Sequence, residues 1–173
     1  MKRPVWLLNR VALAAHRRQL AEHGGAPGVD FALLALAMGW PKTVLAFTDG
    51  RISLFGLAAA YSEAVLRLRP FASGNERMAW LLGKLFLAVN GVEAPASVAD
   101  QLAMFGALRA GAIDRVRYER WMLMRRVIDR GGAVIGVARD RAGRVLRVGV
   151  LRRAPVRAAA RAGAALAVPM LQD

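Results

Sequence analysis

The sequence predicts a mainly helical domain over about residues 1–128, followed by a β-hairpin and an Arg/Ala-rich basic tail over 129–173. Three observations carry this expectation. Apolar residues recur at helical spacing in six segments between residues 5 and 127. Gly, Pro and capping Ser or Asp residues punctuate those segments where helices start and stop. After Gly131-Gly132 the pattern changes to two runs rich in β-branched residues. More than half of the 173 residues are apolar, which excludes a disordered chain and is enough for a real core. There is no cysteine, so a disulfide framework and a Cys-ligated metal site are both excluded.

The first helix is expected over 5–22, with Val5, Leu8, Ala12, Ala15 and Leu20 as its apolar stripe and Arg10, Arg17 and Arg18 opposite. Gly24-Gly25-Ala26-Pro27-Gly28 ends it. Asp30 is placed to cap a second helix through about Met38, which Gly39-Trp40-Pro41 should break because proline lacks the N–H that an interior turn needs. Thr48-Asp49-Gly50 reads as a turn. Ser53 caps a helix over 54–68, with Leu54, Leu57, Ala58, Tyr61, Val65 and Leu68 on one face, and Pro70 forbids its continuation. Tyr61 and Glu63 read as packing or solvated residues. Residues 77–89 form a helix apolar nearly all round, which belongs at the centre of the domain, and Asn90-Gly91 stops it. Ser97 caps 98–110. A last helix over about 114–127 should bury Val116, Trp121, Leu123, Met124 and Val127. In the C-terminal part, 133–151 should pair as a hairpin turning at 140–143, and 154–168 suits a short helix.

The formal charge is +14, carried almost wholly by arginine. Residues 1–113 hold 12 basic and 7 acidic residues, a difference of +5, and residues 114–173 hold 14 and 5, a difference of +9. Such a field favours nucleic acid, an acidic partner or an anionic surface. Base composition of the genome is the other source of an excess of Arg, Ala and Gly together. Arg139, Arg141, Arg144, Arg147, Arg152, Arg153, Arg157 and Arg161 read either as phosphate contacts or as a solvated face. No aromatic residue interleaves them, which argues against stacking on single strands. The apolar stretches are too short to span a bilayer and no leader is evident, so a cytoplasmic protein with no membrane partner is expected.

Residues 69–77 read Arg-Pro-Phe-Ala-Ser-Gly-Asn-Glu-Arg, and Phe86-Leu87-Ala88-Val89-Asn90-Gly91 follows. This resembles the signature of the Fic/Doc family, His-Pro-Phe-x-Asp-Gly-Asn-Lys-Arg and then a buried helix ending in Asn-Gly. The likeness is to the Doc (death-on-curing toxin) branch in particular. The flanks add to it: the run from His16 to Gly28 with its Gly-Gly turn, Leu33 to Ala37, the Ala58-Ala59-Ala60-Tyr61 segment, Gly111 and Trp121. The resemblance covers roughly residues 5–126 and implies a Fic/Doc-like helical domain. In that family the loop cradles the phosphates of ATP, the histidine is the base, and the acid holds Mg2+. Fic members transfer AMP to hydroxyl groups. Doc members act as kinases on elongation factor Tu and are neutralised by an antitoxin.

By that likeness Arg69 stands at the catalytic histidine, Ser73 at the metal-binding acid and Glu76 at the lysine. Gly74, Asn75 and Arg77 stand at the positions that bind nucleotide phosphates. Arginine cannot take up a proton at neutral pH, and losing a positioned base typically costs about 10²–10⁴ in rate. Serine offers Mg2+ a hydroxyl in place of a carboxylate, and Glu76 puts negative charge where phosphates would sit. No protein-held metal is expected, and ATP and Mg2+ are cofactors only if the family chemistry survives. Gly74 and Asn75 have a second reading, in which they only shape the turn. His16 and His23, the only two histidines, read as packing or surface residues. Lys84 lies seven residues after Arg77 on the same helix face, and either approaches the anion loop or snorkels.

The expected function is a degenerate Doc-like transferase, a pseudoenzyme that acts by binding an antitoxin-like protein, elongation factor Tu or its own kind. The alternatives are a divergent, active kinase or AMP transferase, and a nucleic-acid-binding module that uses the basic C-terminal third.

Overall fold

The computed structural model describes residues 3–93, 97–130, 133–139 and 145–152, with side chains over 3–93 and 97–126. Among these described residues six helices and two strands follow in order: α1 (Asn9–His23), α2 (Phe31–Phe47), α3 (Leu54–Leu68), α4 (Asn75–Val89), α5 (Val98–Arg109), α6 (Arg115–Arg130), β1 (Ala133–Arg139) and β2 (Val145–Arg152). The architecture is mainly helical. No helix among the described residues is long and apolar enough to cross a membrane.

Helix α3 is the hub. Every residue from Phe55 to Ser62 is buried, and α2, α4 and α6 all pack on it. Its Ala58-Ala59-Ala60 run keeps its circumference thin, so α4 approaches closely. Ser62 donates its hydroxyl to the Ala79 carbonyl at 2.9 Å, and a Cβ on Gly83 would stand 2.7 Å from that hydroxyl. Tyr61 and Phe86 meet at 5.2 Å between ring centres and are fully enclosed. Burying a side chain of that size contributes about 1.5–3 kcal/mol. The expected central helix over 77–89 is therefore half of a central pair. It begins two residues earlier, at Asn75, and its Val89 is exposed.

The capping residues lie where the sequence put them. Asp30, Ser53 and Ser97 accept from the N–H groups of Leu33, Gly56 and Asp100. Thr48-Asp49-Gly50 turns the chain after α2.

Three expectations are corrected. Helix α2 does not break at Gly39-Trp40-Pro41 but runs on to Phe47. Pro41 forgoes one hydrogen bond, yet Met38, Pro41 and Val44 are all buried on the face that packs against α3, and that packing outweighs the loss. Helix α1 starts at Asn9, not at residue 5. Val5 instead exchanges backbone hydrogen bonds with the Asn90 side chain, at 2.8 and 3.0 Å, and Leu7 donates its N–H to the Tyr61 hydroxyl. Val5 and Leu8 are exposed, and the inner face of α1 is Ala12, His16 and Gln19. Helix α6 turns Tyr118 and Met122 inward, while Val116, Leu123 and Met124 are exposed and Trp121 is half-buried. Its orientation is set by polar contacts to α3. Glu119 accepts from the Ser53 hydroxyl at 2.6 Å, and Arg115 lies 3.6 Å from Glu63. Glu63 thus pairs across helices and also accepts from the Trp40 indole.

Beyond α6, β1 and β2 pair antiparallel with Ala133 opposite Arg152 and Val137 opposite Val148. The turn expected at 140–143 and the helix expected at 154–168 lie outside the described residues, as do the side chains of the hairpin and tail arginines.

Candidate functional site

The loop that joins α3 to α4 is built by both helix ends and by the Gly-rich turn after α1. Arg69 is the C-cap of α3. It adopts the left-handed conformation, φ 47°, donates its N–H to the Val65 carbonyl and is exposed. That conformation costs an arginine more than it costs a glycine. Pro70 and Phe71 then turn inward and are buried. The backbone here runs antiparallel to residues 28–30. Asp30 donates its N–H to the Pro70 carbonyl at 2.8 Å, Ala72 donates to Gly28 at 2.9 Å, and Val29 and Phe71 form a bridge.

Gly74 is the N-cap of α4 at φ 72°, a conformation that only glycine adopts at little cost. Asn75, the first helical residue, is 3% exposed. Its amide oxygen accepts from the Phe71 N–H at 3.0 Å and its amide nitrogen donates to the Phe71 carbonyl at 2.6 Å. Both polar atoms of Asn75 are thus engaged in shaping the turn. Ser73 donates its hydroxyl to the Ala26 carbonyl at 3.1 Å. Gly25 abuts that hydroxyl so closely that a Cβ there would lie 2.5 Å from it. Glu76 ion-pairs with Arg109 at the end of α5, at the N-terminal turn of α4, where a carboxylate also complements the helix dipole. Arg77 is half-buried in the same turn.

The structure thus gathers Ser73, Gly74, Asn75, Glu76 and Arg77 around one helix N-terminus, with Arg69 at the other end of the loop. Backbone N–H groups of such a turn, together with the macrodipole, attract anions. Lys84 is not part of this arrangement. It lies 4.2 Å above the Trp80 ring and lines a cleft with Gln101, and burial lowers the pKa of its ammonium group.

His16 is a loop contact that spacing alone did not assign. It is 3% exposed, packs on the Phe71 ring at 4.3 Å, and donates Nε2–H to the Ser73 carbonyl at 3.2 Å. Burial lowers its pKa, and the hydrogen bond to Ser73 offsets part of that effect. The 12–16–19 spacing was the available signal: it places His16 and Gln19 on the inner face of α1 beside Ala12. Arg109 had no signal, because its pairing with Glu76 depends on how α5 returns to α4.

Among the described residues, no three His, Cys, Asp or Glu side chains stand close enough to share a metal ion. Mg2+ prefers one or two carboxylates in its octahedron. The position that would supply one is Ser73, a neutral hydroxyl already bonded to Ala26, so the residues present do not fit this ion.

No curated protein matches the chain. Residues 6–87, from the extended segment before α1 to the last turn of α4, match the model of the Fic/DOC family, and over that stretch the chain is similar to it.

Proposed function

We propose that this protein is a Doc-type member of that family whose transferase site has decayed, and that it acts by binding. One observation carries the reading: Ser73, Asn75 and Glu76 all spend their side chains on the fold itself, on Ala26, Phe71 and Arg109. Arg69 cannot serve as a base at neutral pH. The ring of His16, which packs against the loop, is buried with Nε2 held by a backbone carbonyl. What the loop retains is an anion-attracting helix N-terminus. The partners this reading favours are elongation factor Tu or an antitoxin-like protein.

The test is calorimetric titration with ATP, with and without Mg2+, alongside label transfer from γ- and α-labelled ATP to purified elongation factor Tu, with an active Doc protein as control. The expected result is weak ATP binding that Mg2+ does not strengthen, and no transfer above the blank. Arg69→His alone recovers nothing, because metal and phosphate contacts are still missing. The Arg69→His/Ser73→Asp/Glu76→Lys variant gains Mg2+-dependent ATP binding. Robust transfer by the unaltered chain that Arg77→Ala abolishes would overturn this reading in favour of a divergent transferase.

A further inference from the structure

Of the 26 basic residues only three are lysines, Lys2, Lys42 and Lys84. Arginine keeps its charge in any protein setting, whereas a poorly hydrated lysine can give up its proton and become a nucleophile. The setting of Lys84 is of that kind. It stands on α4 between Trp80 and Ala88, one turn from each, on the side that faces α5 and α6. Trp80 is buried, and its ring centre lies 4.2 Å from the Lys84 nitrogen. Tyr118 is buried on α6 beside them, and Trp121 stacks on it at 6.0 Å between ring centres. Lys84 itself is half-buried, and among the described residues no carboxylate pairs with it. Burial therefore acts on the ammonium group with no opposing charge, and lowers its pKa.

The amine opens onto a cleft of about 530 Å3, lined by Lys84, Ala88, Gly91, Val92, Glu93 and Gln101. Small-molecule sites span roughly 300–1,000 Å3. On the inner side of Lys84, against Trp80 and Tyr118, the space is only about 20 Å3, enough for a water molecule and too small for a ligand. A ligand must therefore meet the amine from the open cleft.

We propose that Lys84 is a nucleophilic amine and that this cleft takes a small aldehyde with an apolar body, held as an imine. The nitrogen lone pair adds to the carbonyl carbon and a C–N bond forms. The carbonyl oxygen then leaves as water with the two hydrogens of the amine, so no oxidant, reductant or further reactant is needed. Loss of that water is assisted by proton transfer, and Glu93, which shares the cleft, is placed to relay a proton. Ala88, Gly91 and Val92 offer apolar contact, which suits an alkyl or aryl body, while Glu93 disfavours an anionic one.

Lys42 is an internal control. It too lies over a tryptophan, 5.7 Å from the centre of the Trp6 ring, but it is exposed and takes no part in the cleft. A lysine that is merely packed reacts more slowly than an exposed one, because approach to it is hindered. A nucleophilic site reverses that order.

The test incubates the full chain with butanal or benzaldehyde, fixes imines with cyanoborohydride, and follows the labelled peptides by mass spectrometry. At neutral pH Lys84 is expected to label about fivefold or more faster than Lys42. In concentrated urea the two should label alike. Ala88→Phe fills the cleft from an exposed position. It should leave the melting curve in place and bring labelling of Lys84 below that of Lys42. Butyrate in place of the aldehyde should not protect Lys84 from a second amine reagent. Labelling of Lys84 no faster than Lys42 overturns the proposal. So does a fast Lys84 that persists in urea or ignores Ala88→Phe, and so does protection by butyrate, which would make the cleft a carboxylate site.

Discussion

The two ends of α4 are held by the same device at very different range. At the N-terminus, the Asn75 amide clamps the backbone of Phe71, four residues away, from a buried position. At the C-terminus, the Asn90 amide clamps Val5, eighty-five residues away, and its nitrogen also donates to the Phe86 carbonyl at 2.8 Å. The first clamp forms wherever α3 and α4 are joined by this loop, so it belongs to the motif. The second needs the whole domain assembled, because nothing local brings Val5 to Asn90. A local, buried clamp specifies shape, whereas a distant, half-exposed one fastens an end that water would otherwise solvate.

Asn75→Ala should show the larger effect. It leaves the buried N–H and C=O of Phe71 without partners, at roughly 1–3 kcal/mol for each unsatisfied group. For a chain of this length each kcal/mol lowers Tm by about 2–4 °C, so a fall of roughly 4–24 °C is expected in a thermal melt. A fall no greater than that of Asn90→Ala would erase the distinction between the two clamps.

The loop end also carries a pH dependence. The folded pKa of His16 is lowered by burial. The unfolded chain therefore holds a proton that the folded chain rejects between the folded value and about 6.5, the ordinary histidine value. The contribution of His16 is complete above about pH 6.5 and is lost as pH falls from there towards the lower folded value. His16→Gln should flatten that slope in denaturant unfolding at a series of pH values. It should also cost about 1–2 kcal/mol at pH 7.5, through the bond to Ser73 and the packing on Phe71. An unchanged slope would place the acid sensitivity elsewhere.

Asn90→Ala should be the mildest of the three. Water can replace its partners at a half-exposed site, so a loss of about 0.5–1.5 kcal/mol is expected. Faster amide exchange should be confined to residues 5–8. Exchange that spreads into α4 would make the distant clamp part of the core.

How much of this was legible depended on the range of each contact. Capping at Asp30, Ser53 and Ser97 needs only a hydroxyl or carboxylate three residues before an N–H, and each was readable. The loop was readable as a motif, because Gly74 and Asn75 act on their own neighbours. Continuation of α2 through Pro41 was not readable, since local preference says stop and only packing against α3 says continue. The face of α6 was misread for a related reason. Its exposed stripe of Val116, Leu123 and Met124 is as apolar as its buried one, and the contacts of Arg115 and Glu119 with residues on and beside α3 decide between them.

Local chemistry therefore determined the helical class, the starts of the capped helices α2, α3 and α5, and the family likeness of the loop, because caps, punctuation and apolar period act within a few residues. Tertiary packing decided which face of α1 and α6 turned inward, where α2 ended, and that Ser73 and Glu76 would be occupied by Ala26 and Arg109. Those outcomes rest on contacts between segments about 20 to 70 residues apart in sequence, and no local pattern encodes the energy of a contact that exists only once the chain has folded.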